Sequence, residues 1–205
     1  EYIAELEQLD HDMMELIRDR MGDPPINLDS PDDKSKMLYS RSVNDKKMWK
    51  QKFNLGKDKE GRDLFRPKYT KKQFNSIVKA NTSIIQKTEA THCKKCKGKG
   101  FIYKETTQGK PYKSMPKCKV CHKSSGIIYK PTGKVAGFKL IPRGVKDVAA
   151  AGFTTSKDDL EFFPASSIPE ESRPFIALMM RRNQVTTYLS TYVEGIEKHV
   201  YKDNI

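Results

Sequence analysis

The chain has 205 residues, room for one large or two small domains, and its 32% charged and 36% hydrophobic residues suit a soluble globular protein. It has no run of about 18 apolar residues, so no membrane span is expected. The net charge of +13 is spread unevenly: residues 42–150 hold 28 Lys and Arg against 7 Asp and Glu, whereas the flanks hold 11 against 19. A basic segment between acidic flanks reads as a module inserted into another domain. Its field concentrates polyanions, of which nucleic acid is the commonest. A solvated lysine-rich surface without a partner is the plainer reading of the same charges.

The chain opens on Glu1, inside a predicted helix, and reads as a piece of a longer protein. Over residues 2–21, Ile3, Leu6, Leu9, Met13, Leu16, Ile17 and Met21 recur at three- and four-residue steps, one apolar stripe on a helix. Gly22 and Asp23-Pro-Pro25 stop it. In Asn27-Leu-Asp-Ser-Pro31, Ser30 can cap the next helix, Pro31 suits its first position, and Asp33 stands where a capping box places its acid. Met37, Leu38 and Arg41 are expected on that short helix.

The basic segment begins with a small apolar nucleus of Trp49, Phe53 and Leu55. Residues 69–89 read as a helix with Phe74, Ile77, Val78, Ile84 and Ile85 inward. Residues 101–103, 112–115, 126–129 and 135–141 have the β-branched and aromatic content of short strands, separated by Gly109-Lys-Pro and Pro131-Thr-Gly turns.

Within this stretch lie the only four cysteines, Cys93-Lys-Lys-Cys96 and Cys118-Lys-Val-Cys121. Two intervening residues let each pair aim both sulfurs at one point. Two such knuckles complete the tetrahedral four-cysteine set that zinc takes when its role is structural, so one structural zinc ion is expected. Two disulfides would need an oxidising compartment, and the chain has no apolar leader-like stretch at its start. His92 and His122 abut the knuckles and read as neighbours of a complete set. Four short strands around such an ion make a zinc-ribbon-like unit whose core is too small to fold without the metal. Cys93-Lys-Lys-Cys96-Lys-Gly-Lys-Gly100 also resembles the C-x-x-C-x-G-x-G repeat of J-domain co-chaperones. That family carries several pairs of knuckles and this chain one, so the likeness is of knuckle geometry.

Lys94, Lys95, Lys97, Lys99, Lys117 and Lys119 surround the cysteines and are candidate phosphate contacts. Lysine favours the backbone over base edges, so binding independent of sequence is expected. Phe101, Tyr103, Tyr112 and Tyr129 alternate with lysines; they read either as the core of the ribbon, the commoner case, or as surfaces for unpaired bases.

Downstream, Gly152-Phe-Thr-Thr-Ser156 precedes a predicted short helix at 158–163, and Pro164 and Pro169 mark a linker. A long helix from Glu170 to about Lys198 carries Phe175, Ile176, Leu178, Met179, Val185, Tyr188, Leu189, Tyr192 and Ile196 on one face. That face should pack antiparallel on residues 2–21.

Taken in order, Asn27-Leu-Asp-Ser-Pro31, Gly152-Phe-Thr-Thr-Ser156 and Arg181-Arg-Asn-Gln-Val-Thr-Thr-Tyr-Leu-Ser-Thr-Tyr192 resemble three segments of the thumb of family A (Pol I-type) DNA polymerases. The likeness covers about residues 1–41 and 152–205 and leaves 42–151 as an insertion. It implies a discontinuous thumb of two long antiparallel helices leaning over primer-template duplex, with Arg181, Arg182, Asn183, Ser190 and Thr191 toward DNA. The lysine that family usually places three residues before Ser-Thr-Tyr is Thr187 here. The palm, with its magnesium-binding aspartates, is not in this sequence, and no spacing of Ser, His or carboxylates reads as a catalytic constellation.

The expected fold is therefore α+β: a long-helix hairpin with an inserted basic lobe built on a four-cysteine β unit. The expected role is a grip on duplex that raises processivity, as thumb insertions do in some phage members of that family. This would place the protein in the cytoplasm of an infected bacterium. The alternatives are a docking site for a processivity factor or other replisome protein, and a free-standing zinc-finger protein.

Overall fold

The computed structural model describes residues 2–23 and 25–193. Among them are six α-helices and three two-stranded antiparallel sheets, a mixed α+β fold. Helix α1 (Tyr2–Met21) buries Leu9, Met13, Ile17 and Met21, the inner part of its predicted stripe, and leaves Ile3 in solvent. Helix α2 (Pro31–Tyr39) starts as its sequence dictates: Pro31 takes the first turn, and the Ser30 hydroxyl accepts from the Asp33 amide at 3.3 Å. Asp33 does not return the bond to Ser30; its carboxylate accepts from the Asn27 amide at 3.2 Å and so closes the preceding loop.

Helix α2 ends at Tyr39, and left-handed Ser40 turns the chain into strand β1 (Arg41–Val43), so Arg41 lies on a strand rather than on the helix. Helix α3 (Lys46–Lys52) is capped by Asp45 and carries Trp49 inward. Helix α4 (Lys71–Asn81) opens on a reciprocal Thr70/Gln73 capping box and buries Phe74 and Val78. It is shorter than the expected helix over 69–89. From Thr82 the chain is extended as strand β2 (Thr82–Ile84), then strand β3 (Gln86–His92). The physical reason is visible in Thr82, Ile84 and Ile85: β-branched side chains favour a pleated backbone. On it Ile84 faces solvent opposite Arg41, while Ile85 packs inward.

Strand β4 (Ile127–Val135) pairs with β3 along its length, from His92 opposite Ile127 to Gln86 opposite Val135. The expected turn at Pro131-Thr-Gly133 is instead an irregularity within β4. Thr88 faces Pro131, and the next pair outward is Gln86 with Val135, so the surplus residues arch out of the ladder. The expected strand over 135–141 stops at Val135. Beyond it the backbone follows the end of α2, Phe138 and Leu140 donating to the carbonyls of Met37 and Leu38 at 2.9 Å each. Residues 101–103 and 112–115 form no strands; single bridges join Phe101 to Lys117 and Glu105 to Pro111.

Strands β5 (Val148–Ala149) and β6 (Gly152–Phe153) lead to helix α5 (Lys157–Glu161), capped by Ser156. Two 3-10 turns cover the proline-marked linker, and helix α6 follows (Arg173–Tyr188), continued by a π turn over Leu189–Val193. Ile196 and Lys198 of the expected long helix lie outside the described residues.

Helices α1 and α6 lie side by side and antiparallel. Tyr2 meets Tyr188 with ring centroids 5.9 Å apart, Glu5 pairs with Arg181, Asp10 with Arg182, and the Arg20 guanidinium donates to the Glu171 carbonyl at 3.2 Å. The core beneath them runs without a break across residues 41 and 152. Met13, Ile17, Met37, Tyr39, Phe153 and Phe175 from the flanks share one cluster with Trp49, Phe53, Phe74, Phe138 and Leu140 from the basic segment. Phe138 stacks on Phe175 at 3.8 Å, Trp49 meets Phe153 edge-on at 5.4 Å, and the Trp49 indole donates to the Ala149 carbonyl at 3.0 Å. Buried polar groups are satisfied in the same seam: Asp147, fully buried, holds the Arg143 guanidinium, which also lies 4.2 Å over the Phe163 ring.

Truncating Phe175 therefore removes the stacked pair that ties the basic segment to α6. Phe175→Ala is expected to lower the unfolding free energy by about 3–5 kcal/mol with no change in urea m-value, measured by urea titration.

Candidate metal centre and the basic lobe around it

The β3/β4 ladder acts as a stem that delivers residues 93–126 beyond the main core. The two knuckles sit at its end, and all four cysteine sulfurs lie within 4.8 Å of one another, fully or almost fully buried. The Cys93 and Cys118 sulfurs are 3.8 Å apart and those of Cys96 and Cys121 4.0 Å. Four sulfurs each about 2.3 Å from a central zinc stand about 3.8 Å apart at the corners of a tetrahedron. A disulfide would need about 2.05 Å. The cysteines are free thiols in a cage of the right size for one metal ion, and its four-sulfur donor set is compatible with zinc.

The two halves of the cage are built alike. The Gly100 amide donates to the Cys96 sulfur at 3.3 Å, and the Gly126 amide donates to the Cys121 sulfur at 3.3 Å. Each half then stitches to the other, Cys93 N–H to the Gly126 carbonyl at 2.7 Å and Cys118 N–H to the Gly100 carbonyl at 2.8 Å. Both glycines have positive φ, and a Cβ on either would fall about 2 Å from a carbonyl oxygen, Ser124 for Gly100 and Gly98 for Gly126. Only glycine fits there. The second knuckle reaches its glycine one residue later than the first, with Lys123 and Ser124 both left-handed on the way. Hydrogen bonds from the backbone amides of Val120 and Cys121 pull the Cys118 thiol down to about 7, whereas burial pushes that of Cys121 up to about 11. A metal ion supplies the charge that lets all four deprotonate together.

His122 turns away from this set and packs edge-on against Tyr129 at 5.5 Å, while the ring of His92 lies against Gly98. Apart from the cysteines, only Ile102 and Ile128 pack on the cluster.

Around the cage, residues 93–126 carry 10 lysines and one carboxylate, Glu105. Lys94, Lys95, Lys97, Lys99, Lys117 and Lys119 are all exposed, and among the described residues none lies within ion-pair reach of an acid. Lys99 lies 6.0 Å from the centroid of the Tyr103 ring. Of the aromatic residues, Phe101, Tyr103 and Tyr112 are exposed, which overturns their reading as ribbon core. The physical reason is that the sulfur cluster occupies the space that such a core would need.

Of the residues expected on the long helix, Arg181, Arg182 and Asn183 lie on α6, and Ser190 and Thr191 on the π turn that continues it. Arg181 binds Glu5 at 2.6 Å. Arg182 is only 12% exposed and spans Asp10 at 2.5 Å and Asp29 at 3.3 Å. Burial alone would lower its pKa; the hydrogen bond to Asp10 and the charges of Asp10 and Asp29 raise it on balance. This contact joins Asn27-Leu-Asp-Ser-Pro31 to Arg181-Arg-Asn, and neither segment alone announced it. Asn183 accepts from Thr187 through its carbonyl at 2.8 Å, Ser190 donates to the Thr187 carbonyl at 3.2 Å, and Thr191 is exposed.

The chain matches no protein-family model, no curated protein and no solved structure.

The cage predicts a local response to metal removal. Chelation, or Cys118→Ser, is expected to open residues 93–126 to protease while the main unfolding transition stays in place, since the sulfur cluster is separate from the main core. Gly126→Ala is expected to lose the metal as well. Cleavage sites mapped by mass spectrometry, with metal content by elemental analysis, check both.

Proposed function

We propose that the chain is the thumb of a family A DNA polymerase, and that its basic lobe, pinned by one zinc ion, lengthens the enzyme's hold on primer-template duplex. The observation that carries this reading is the lobe itself: 10 lysines against one acid on a 34-residue tip, with no ion pair among the described residues to neutralise them. A surface so charged gains by meeting a polyanion, because each neutralised phosphate releases condensed counterions. The antiparallel pair of α1 and α6 supports the thumb assignment, together with the three sequence segments in that family's order.

In this reading the two parts have different tasks. The helix pair is a stiff support, with Arg182 spent on fixing α6 to α1 and to the loop before α2. Arg182 therefore acts on DNA only by positioning its helix, and Ser190 and Thr191, beyond it on the same helix, are the groups left to face a minor groove. The lobe supplies long-range attraction without sequence preference. Zinc would be held by Cys93, Cys96, Cys118 and Cys121 and supplies shape alone. Nucleotidyl transfer and its magnesium ions belong to a palm outside this chain.

Binding of a labelled duplex, followed by anisotropy between about 50 and 200 mM salt, tests the proposal. Log affinity should fall steeply and linearly with log salt. Replacing Lys94, Lys95, Lys97 and Lys99 together by Gln should reduce the slope by about 0.9 for each phosphate that is no longer neutralised. A salt-independent affinity, or none, would sink the reading.

A further inference from the structure

On the far side of the first knuckle, side-chain exposure alternates. The Ile102 amide donates to the Pro116 carbonyl at 2.8 Å, and its side chain packs on the cysteine cluster. Its neighbours Phe101 and Tyr103 stand 37% and 52% exposed. Together with Lys95, Lys97 and Lys99 they line one groove of about 340 Å³ beside Cys96. Two exposed rings in a lysine-lined groove offer flat apolar faces beside positive charge.

We propose that Phe101 and Tyr103 are a stacking platform for unpaired bases of a nucleic-acid strand, whose phosphates Lys95, Lys97 and Lys99 follow. The assignment rests on the lobe's binding nucleic acid and goes beyond it, by naming a single strand as the ligand of this face. Three features select that ligand. The two rings stand two residues apart and line one groove, so two bases of a strand can each find a ring. The groove's charged rim is lysine throughout, which suits phosphate and not a basic or neutral peptide. Glu105, the lobe's sole acid, raises the pKa of the Tyr103 phenol, which keeps that ring uncharged toward a phosphate chain. Duplex cannot use the platform, since its bases are already stacked. The face therefore suits the unpaired template ahead of a primer end, or a displaced strand.

The test compares a labelled oligothymidylate of about 15 nucleotides with a duplex of the same length, using the full chain with its metal bound. Phe101→Ala with Tyr103→Ala is expected to weaken oligothymidylate binding by at least the range for removing one base–aromatic stack, about 5- to 160-fold, and to leave the duplex and its salt slope unchanged. Metal content of the double variant reports that the cage is intact. A second chain, Tyr103→Trp, gives a readout that needs no truncation. Trp49 is buried, so emission quenched by oligothymidylate and not by duplex would come from the platform. Equal weakening on both ligands, no weakening on either, no quenching, or tighter competition by an acidic peptide than by oligothymidylate would each overturn the platform. Duplex binding that persists with a steep salt slope would at the same time leave the proposed grip standing.

Discussion

Four sulfurs gathered within 4.8 Å are the constraint on which the lobe depends. Residues 93–126 bury almost nothing else: their packed interior is the cysteines with Ile102, and Ile128 from the stem. A segment of 34 residues lies below the size at which apolar burial alone sustains a fold, roughly 40 residues. Deprotonating all four at such distances would set like charges side by side, a repulsion that a bound cation would offset. The paired sulfur-directed amides of Gly100 and Gly126 favour charge on the Cys96 and Cys121 sulfurs. With an ion in the cage, metal binding and local folding would be one event in this part of the chain.

The rest of the molecule follows a different logic. One aromatic core joins the flanks to the basic segment through Phe138 on Phe175 and Trp49 on Phe153. By packing, then, the body of the protein includes residues 44–92 and 127–151, and what stands apart is the tip beyond the β3/β4 stem. Arg182 serves the body in the same way. Its contacts to Asp10 and Asp29 bring together three stretches of chain that are distant in sequence, and a guanidinium suits the task because its fork can serve two carboxylates at once.

Local chemistry made much of this legible before any coordinates. Ser30 with Pro31 starts a helix, the three- and four-residue stripe from Leu9 to Met21 faces a core, and two C-x-x-C pairs aim four sulfurs at one point. What was hidden was decided by competition between local preference and packing. Ile84 and Ile85 fit the periodicity of α4, yet Asn81 ends that helix because the chain must pair with β1 and then form the stem. Pro131-Thr-Gly133 has turn chemistry and is used as an arch within a strand, since β3 offers a longer partner than a tight hairpin would need. The exposure of Phe101 and Tyr103 could be read only once the sulfur cluster was seen to fill the interior. Arg182, read as a contact to DNA, could not be known as an internal strut without the position of Asp29.

A metal-centred tip and a lysine-rich surface also require each other in a physical sense. An apolar core large enough to hold 34 residues would take side chains away from the surface; a core of four thiolates leaves nearly every other position free to carry charge. The 10 lysines then repel one another across a small volume, and a zinc tetrathiolate, with a net charge of about −2, would offset only part of that repulsion. On the proposed reading a polyanion laid on this surface would relieve the remainder. The same lysines that would attract such a ligand would then also make the lobe's stability depend on it, since a bound strand would lower the energy of the whole arrangement.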